Sequence, residues 1–262
     1  MRLSPFAPLD ALIAPPPLPA RIDFLSVQPF AHRGLHGHGV IENSRAAFIA
    51  ALSVGHGIEL DVQSAQGGEA FVFHDESLNR LTDEAGAFGD RQAATLDKVQ
   101  LAGSHETIPR LSEILAIVAC RVPILIEVKA PAGKVGMLCL SVRRALEGYR
   151  GDVAIMSFNP AVPRWFAEHA PRFTRGLVIT ESGKPGRIEA IKRIGARRLA
   201  LWSAKPDFLA YDIRDLPSRF AASQRKRGLA LVTWTVRTAQ QEATALACAD
   251  EIIYENPDIH IA

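Results

Sequence analysis

HRGLHGHGVIENSRAAFIAALSVGHGIELDVQSAQGGEAFVFHD, residues His32–Asp75, carries the alternation from which the fold is read. VQPFAHR (27–33) runs into it and reads as a first strand. A helix follows over about 43–53, where Ala46, Ala47, Ala50 and Ala51 present small side chains for close packing. GIELDV (57–62) is a second strand, and AFVFH (70–74) extends or follows it after the Gly67-Gly68 turn. Short β-rich runs alternating with longer helical patterns are the signature of parallel βαβ units.

Outward from this stretch the rhythm pauses and then resumes. Residues 75–109 are polar and dotted with glycine, with a short helix expected around Leu96–Leu101, and read as an insertion. A helix at 111–120 then leads to the strand PILIEVK (123–129), and a long helix over about 133–148 follows. Further strands are expected at 152–158, 175–180, 207–212, 229–235 and 251–254, with helices at about 160–169, 186–203, 216–227 and 238–248 between them. Strands covered on both faces read as continuous apolar runs. Eight of them with intervening helices predict an α/β fold, a TIM (β/α)8 barrel with a small insertion after the second strand. An open doubly wound sheet would carry a G-x-G-x-x-G turn after its first strand, and this chain has neither that turn nor a P-loop nor G-x-S-x-G.

The division expected is a proline-rich N-terminal lead, 1–26, and a barrel domain, 27–262. Pro5, Pro8 and Asp10 interrupt the lead, and Pro15-Pro16-Pro17 ends its apolar stretch, which is unlike the unbroken core of a signal peptide. No apolar run approaches the roughly 18 residues of a membrane span, so a cytoplasmic, soluble protein is expected. A formal net charge of +2 over 262 residues argues against nucleic-acid binding. The arginines at 193–198 and 225–227 read as solvated helix faces. Cys120, Cys139 and Cys248 have no C-x-x-C or Cys/His ligand spacing, so neither a zinc site nor a disulfide framework is expected from them, and each reads as a small buried hydrophobe.

The chemistry lies on the strand ends. Glu59 and Asp61 are one residue apart on a strand and so face the same side. In a barrel that side is the interior, opening onto the active site at the strands' C-terminal ends. Bare carboxylates there repel one another unless a cation joins them. Glu127 can aim at the same point, and three oxygen donors without thiolates suit one hard divalent ion, Mg2+ or Ca2+. Lys129 repeats the i, i+2 geometry with Glu127, and Arg33 follows His32; both are placed to hold phosphate oxygens, although Lys129 also suits a plain salt bridge. His32 and His74 end their strand segments and form a candidate acid–base pair. His36, His38 and His56 lie in glycine-flanked loops and read as peripheral. Glu42-Asn43-Ser44 opens the first helix, where a cap and an early acid explain it as well as a site role for Glu42 does. Trp234 reads either as an apolar wall for a small polyol or as barrel core.

Together these residues resemble the glycerophosphodiester phosphodiesterase family. That family opens with an HRG strand end, an ENT helix start, an apolar–E–x–D–V strand, and an HD pair before L-x-R-x-T and a glycine. The matching residues are His32-Arg33-Gly34, Glu42-Asn43-Ser44, Glu59-Leu60-Asp61-Val62, His74-Asp75, Leu78–Thr82 and Gly86, followed by IPRLSEIL (108–115), IEVK (126–129), SFNP (157–160) and LVTWTV (231–236). The resemblance implies metal-dependent hydrolysis of small glycerophosphodiesters to glycerol 3-phosphate and an alcohol. It assigns His32 and His74 to acid–base catalysis and Glu59, Asp61 and Glu127 to the ion. Arg33 and Lys129 fall to the phosphate, with Glu42 at the site's edge. The chain departs from the pattern at Ser44 in place of Thr, at Ser64–Gly68 in place of T-x-D-G, at Arg237 in place of Asn, and at Ile253-Tyr254-Glu255-Asn256-Pro257 in place of I-T-D-x-P. Two other readings fit the same scaffold. A lysophospholipase D or sphingomyelinase D-like phosphodiesterase would need an apolar entrance that the insertion does not obviously supply. A non-catalytic phosphodiester-binding barrel would be expected to have lost a catalytic residue, and here all are present.

Overall fold

The protein is described by a computed structural model covering residues 7–130, 133, 135–181 and 187–255. In chain order its elements are α1 (Ala7–Ile13), β1 (Phe30–Ala31), α2 (Arg45–Ser53), β2 (Gly57–Ser64), β3 (Ala70–Val72), α3 (Ala93–Leu96), α4 (Leu111–Val118), β4 (Ile124–Val128), α5 (Gly136–Ala145) and β5 (Val153–Ser157). They continue with α6 (Ala161–His169), β6 (Thr174–Ile179), α7 (Arg187–Ala204), β7 (Phe208–Asp212), α8 (Arg219–Lys226), β8 (Ala230–Val236), α9 (Ala239–Cys248) and β9 (Glu251–Tyr254). One sheet runs β1-β9-β8-β7-β6-β5-β4-β2-β3, and β1 also pairs with β2, so eight parallel strands close into the expected (β/α)8 barrel with β3 outside it. Among the described residues no helix is long and apolar enough to cross a membrane.

The chain divides into two compact units. The first comprises Phe30–Val153 with the chain from Glu255 onward. Here β2 and β4 are buried along their apolar lengths and pair in parallel, with Asp61 opposite Glu127. Ser44 caps α2, its Oγ accepting from Ala47 N at 3.1 Å. Of the two readings of 70–74, extending β2 or following it after the Gly67-Gly68 turn, the second holds: β3 turns back and pairs antiparallel, with Gln63 opposite Phe71. Phe73 stacks on Phe88 with centroids 5.1 Å apart, and the insertion wraps Leu78, Leu96 and Ile108 around them into a core of its own.

Three local expectations are corrected. The helix expected at Leu96–Leu101 lies at Ala93–Leu96. Val99 and Leu101 are needed in the insertion's core, and the chain delivers them extended, bridging Thr82 with Leu101 and Gln100 with Thr107. The first strand is only Phe30–Ala31, because Pro29 removes a donor before it and Arg33 and Gly34 turn left-handed after it. Cys120 is exposed rather than buried, since Ala119 and Cys120 both take left-handed conformations that swing the chain off α4; Cys139 alone of the three is buried.

The second unit comprises Met1–Pro29 and Ala154–Tyr254. Its strands β6 to β9 pair in sequence order. The proline-rich lead packs on this unit: Ala14 joins the core with Leu201, Tyr211 and Leu229. The buried Asp10 accepts from Gln224 Nε2 at 2.8 Å, and its other oxygen lies 3.2 Å from Arg198 Nε. Arg21 donates to Asp207 at 2.9 Å and to the Pro171 carbonyl at 2.6 Å, tying the lead beside the starts of β6 and β7. Trp234 donates from its indole N–H to the Ala210 carbonyl at 3.0 Å and meets Phe158 edge-on, centroids 5.6 Å apart.

Candidate active site

The first unit brings together the histidines, carboxylates and cations read from the strand ends. Glu59 and Asp61 leave β2 on one face, and Glu127 joins them from β4 because the parallel register sets it opposite Asp61. Their exposures are 1%, 1% and 8%, and one oxygen from each lies within 4.8 Å of the others. Lys129 Nζ lies 3.0 Å from Asp61 and 2.6 Å from Glu127. Arg33 Nε lies 3.1 Å from Asp61, while its backbone N–H donates to Glu59 at 3.0 Å. Asn43 donates from its amide to Asp61 at 3.1 Å, which fixes the central carboxylate from a third direction.

The loops that deliver these groups are left-handed. Arg33 and Asn43 both have φ of 55°, and the Asn43 N–H donates to the Arg33 carbonyl at 2.9 Å, so the HRG and ENS segments brace each other. Gly34 has φ of 79°, and a Cβ there would lie 2.8 Å from the Ala47 carbonyl carbon. Backbone cannot yield as a flexible side chain can. Gly34→Ala is therefore expected to destabilise the protein by about 1–3 kcal/mol, read as a lowered urea midpoint with unchanged slope; an unaltered midpoint would remove this account of the glycine.

Electrostatics separates the three acids. Burial, with Asp61 and Glu127 adding repulsion, pushes Glu59 well above the usual carboxylate range. Burial also raises Glu127, against the pull of Lys129. Burial would raise Asp61 too, but Lys129 and Arg33 overcome it and hold that carboxyl far below its ordinary value. The two neighbouring cations thus favour the ionised form most strongly at Asp61. A divalent ion at this point would let all three ionise, and an all-oxygen donor set about 4–5 Å across matches the coordination shell of a hard cation with bonds of about 2.0–2.6 Å. The donor set fits such an ion.

Each imidazole has its own carboxylate. His32 is buried, which lowers its pKa; its Nδ1 is 3.1 Å from Glu255 and its Nε2 3.9 Å from Glu59. His74 Nδ1 is 2.7 Å from Asp75, and Asp75 accepts from Arg80 Nε at 2.6 Å, which holds its carboxyl down at about 2. Both imidazoles are close enough to act electrostatically on Asp61. With Nδ1 facing a carboxylate, the favoured neutral tautomer carries its proton there and leaves Nε2 as acceptor.

Glu42 accepts from Arg33 at 2.7 Å and from Arg80 at 2.8 Å, while Ser44 does the capping. Its carboxylate therefore steers two guanidiniums. Asn43, read from sequence only as part of a helix start, and Asp75, Arg80 and Glu255 are not among the site residues expected from sequence. The acid directly after His74 was the signal for Asp75, whereas nothing local in sequence points from Glu255 to a histidine 223 residues away. His36, read as peripheral, has its Nε2 4.0 Å from Glu255. Trp234 lies in the second unit with Phe158.

Residues 32–259 match the Glycerophosphoryl diester phosphodiesterase family. The chain belongs to this family. It is, accordingly, an enzyme of the phosphodiesterase class. A glycerophosphodiester phosphodiesterase of Caldanaerobacter subterraneus subsp. tengcongensis is 29% identical over 241 residues, covering 87% of this chain and 93% of that protein. Another, from Bacillus altitudinis, is 39% identical over 107 residues, covering 38% of this chain and 43% of that protein. Among solved structures, an Oleispira antarctica phosphodiesterase in complex with the product sn-glycerol-3-phosphate aligns with a TM-score of 0.75 at 20% identity, over 89% of this chain and 94% of that one. A glycerophosphodiester phosphodiesterase of Agrobacterium tumefaciens aligns with a TM-score of 0.64 at 26% identity, over 88% and 97%. Glycerophosphoryl diester phosphodiesterases thus share both the barrel and most of the length of this chain.

Proposed function

We propose that this enzyme hydrolyses small glycerophosphodiesters to glycerol 3-phosphate and an alcohol, using a divalent ion at Glu59, Asp61 and Glu127 and the imidazoles of His32 and His74. The observation that carries this reading is the convergence of three buried carboxylates within 4.8 Å, flanked by two cations and two carboxylate-backed histidines. When bound, Mg2+ or Ca2+ supplies Lewis-acid polarisation of the phosphoryl group.

The chain's own groups do the rest. Lys129 and Arg33 turn their N–H donors to the phosphate oxygens and offset the charge that gathers there in the transition state. Glu42 keeps the Arg33 fork aimed. One imidazole takes the nucleophile's proton at Nε2 while the other gives a proton to the departing alkoxide. The nucleophile is water, or the substrate's own glycerol hydroxyl, which would expel the alcohol and leave a cyclic phosphate that water then opens with the roles of the two imidazoles reversed. Glu255 and Asp75 hold the rings in register and stabilise each imidazolium as it forms.

Purified protein incubated with glycerophosphocholine, glycerophosphoethanolamine or glycerophosphoinositol is expected to release glycerol 3-phosphate with Mg2+ or Ca2+, to stop with a chelator, and to resume on readdition of the ion. Release only from lysophospholipids would move the substrate class to the lysophospholipase D reading. Silence on all of them with every ion would sink the proposed reaction.

A further inference from the structure

The reaction scheme has no place for His36, yet the loop that carries it is well fixed. Leu35 N–H donates to the Ala47 carbonyl at 2.9 Å, and Gly37 and Val40 exchange hydrogen bonds at 3.0 and 2.9 Å. From that loop His36 Nε2 lies 4.0 Å from Glu255 Oε1, while Glu255 Oε2 lies 3.1 Å from His32 Nδ1. One donor atom from each residue falls within 4.8 Å of the others. His32 is buried, whereas His36 and Glu255 keep some exposure, so an ion has a route from solvent.

This donor set differs in kind from the carboxylate triad. Two imidazoles and one carboxylate form a borderline-soft set that suits Zn2+, with a fourth position left for water. Bonds of about 2.0–2.2 Å in a tetrahedron set ligand atoms roughly 3.3–3.5 Å apart. The His32–Glu255 and His36–Glu255 separations, 3.1 and 4.0 Å, lie on either side of that spacing, and small side-chain rotations bring both to it. We propose that His32, His36 and Glu255 form a second metal site that takes Zn2+ and thereby inhibits the enzyme. Zinc on Nδ1 of His32 takes the place of the proton shared with Glu255. The ring stays neutral with its proton moved to Nε2, the nitrogen that faces Glu59, and cannot accept another. The inhibition rests on the acid–base role proposed for His32; the binding does not.

The test is calorimetric titration of Zn2+ into full-length protein saturated with Mg2+, beside His36→Ala and Glu255→Gln, with turnover followed in parallel. Removing even an outer partner of a metal ligand weakens binding by about 10–100-fold, so loss of a ligand should weaken Zn2+ by about 100-fold or more in each variant. Turnover of the unaltered enzyme should fall over the same zinc range as binding, and each variant, scaled to its own zinc-free rate, should resist. Zinc binding with unaltered affinity in both variants, or no saturable binding at all, overturns the site. Binding as expected with turnover unchanged upholds the site and removes His32 from proton transfer. Co2+ added to the unaltered, Mg2+-saturated protein gives a check that needs no variant. Four-coordinate nitrogen and oxygen bands support the site, and a thiolate charge-transfer band would put the ion on a cysteine and overturn it.

Discussion

His32→Ala and His74→Ala are each expected to lower kcat for glycerophosphodiester hydrolysis by about 100-fold or more, the usual contribution of a positioned acid or base. The two losses should not multiply, because removing either imidazole already interrupts the paired proton transfers. Ion binding is expected to survive both changes, since neither histidine belongs to the oxygen set at Glu59, Asp61 and Glu127. Turnover measured beside a calorimetric Mg2+ or Ca2+ titration separates the two functions. Near-full activity in either folded variant would remove that histidine from the scheme; loss of ion binding in either would show that it acts through the carboxylates instead.

What made these histidines legible was their position. His32 follows a short apolar strand whose end must lie at one mouth of a parallel barrel, His74 follows the apolar segment that turns back along β2, and the i, i+2 acid pair on β2 lies between them in sequence. The barrel itself was legible because β4, β5 and β7 are buried throughout and read as largely apolar runs whose polar residues fall late in each strand. The insertion was legible only as an interruption. Its core of Phe73, Phe88 and Ile108 has no period of 2 or 3.6, so nothing in its pattern distinguishes an extended Val99–Leu101 from a helical one. The supports of the site were hidden by distance. Asn43 reads as a helix start and turns out to grip Asp61, and Glu255 reads as a departure from a motif and turns out to face His32.

Asp61→Asn is expected to be at least as damaging as the loss of a histidine, and for a different reason. Asp61 is the one acid of the three whose carboxyl is held below its ordinary value, and Lys129, Arg33 and Asn43 all converge on it. The amide keeps the shape while removing the charge that both cations face. Affinity for Mg2+ or Ca2+ should fall by about 100-fold or more, beyond the cost of losing a supporting residue. Lys129 then keeps Glu127, whose carboxyl burial pushes upward, and Arg33 keeps Glu42 and Glu59. Uncompensated buried charge is costly, so a loss of about 3–5 kcal/mol in unfolding free energy is expected for Asp61→Ala, with a smaller loss for Asp61→Asn. Calorimetric ion titration and urea unfolding read the two effects separately. An unchanged ion titration for Asp61→Asn would exclude it from the ion's ligands, whatever happens to turnover.

The proline-rich lead has a consequence in time. Arg21 and Asp10 find their partners Asp207 and Gln224 at separations of 186 and 214 residues. At a synthesis rate of about 5–20 residues per second, Asp10 waits roughly 10–40 seconds before Gln224 has even been made. Over that interval Ala14 has no core to join, and the apolar side chains of Leu9, Leu12 and Leu18 stand ready for the wrong company. Pro15-Pro16-Pro17 deny the waiting segment the backbone donors with which it would join another sheet edge. The prolines keep this segment solitary until the rest of its own unit exists to receive it.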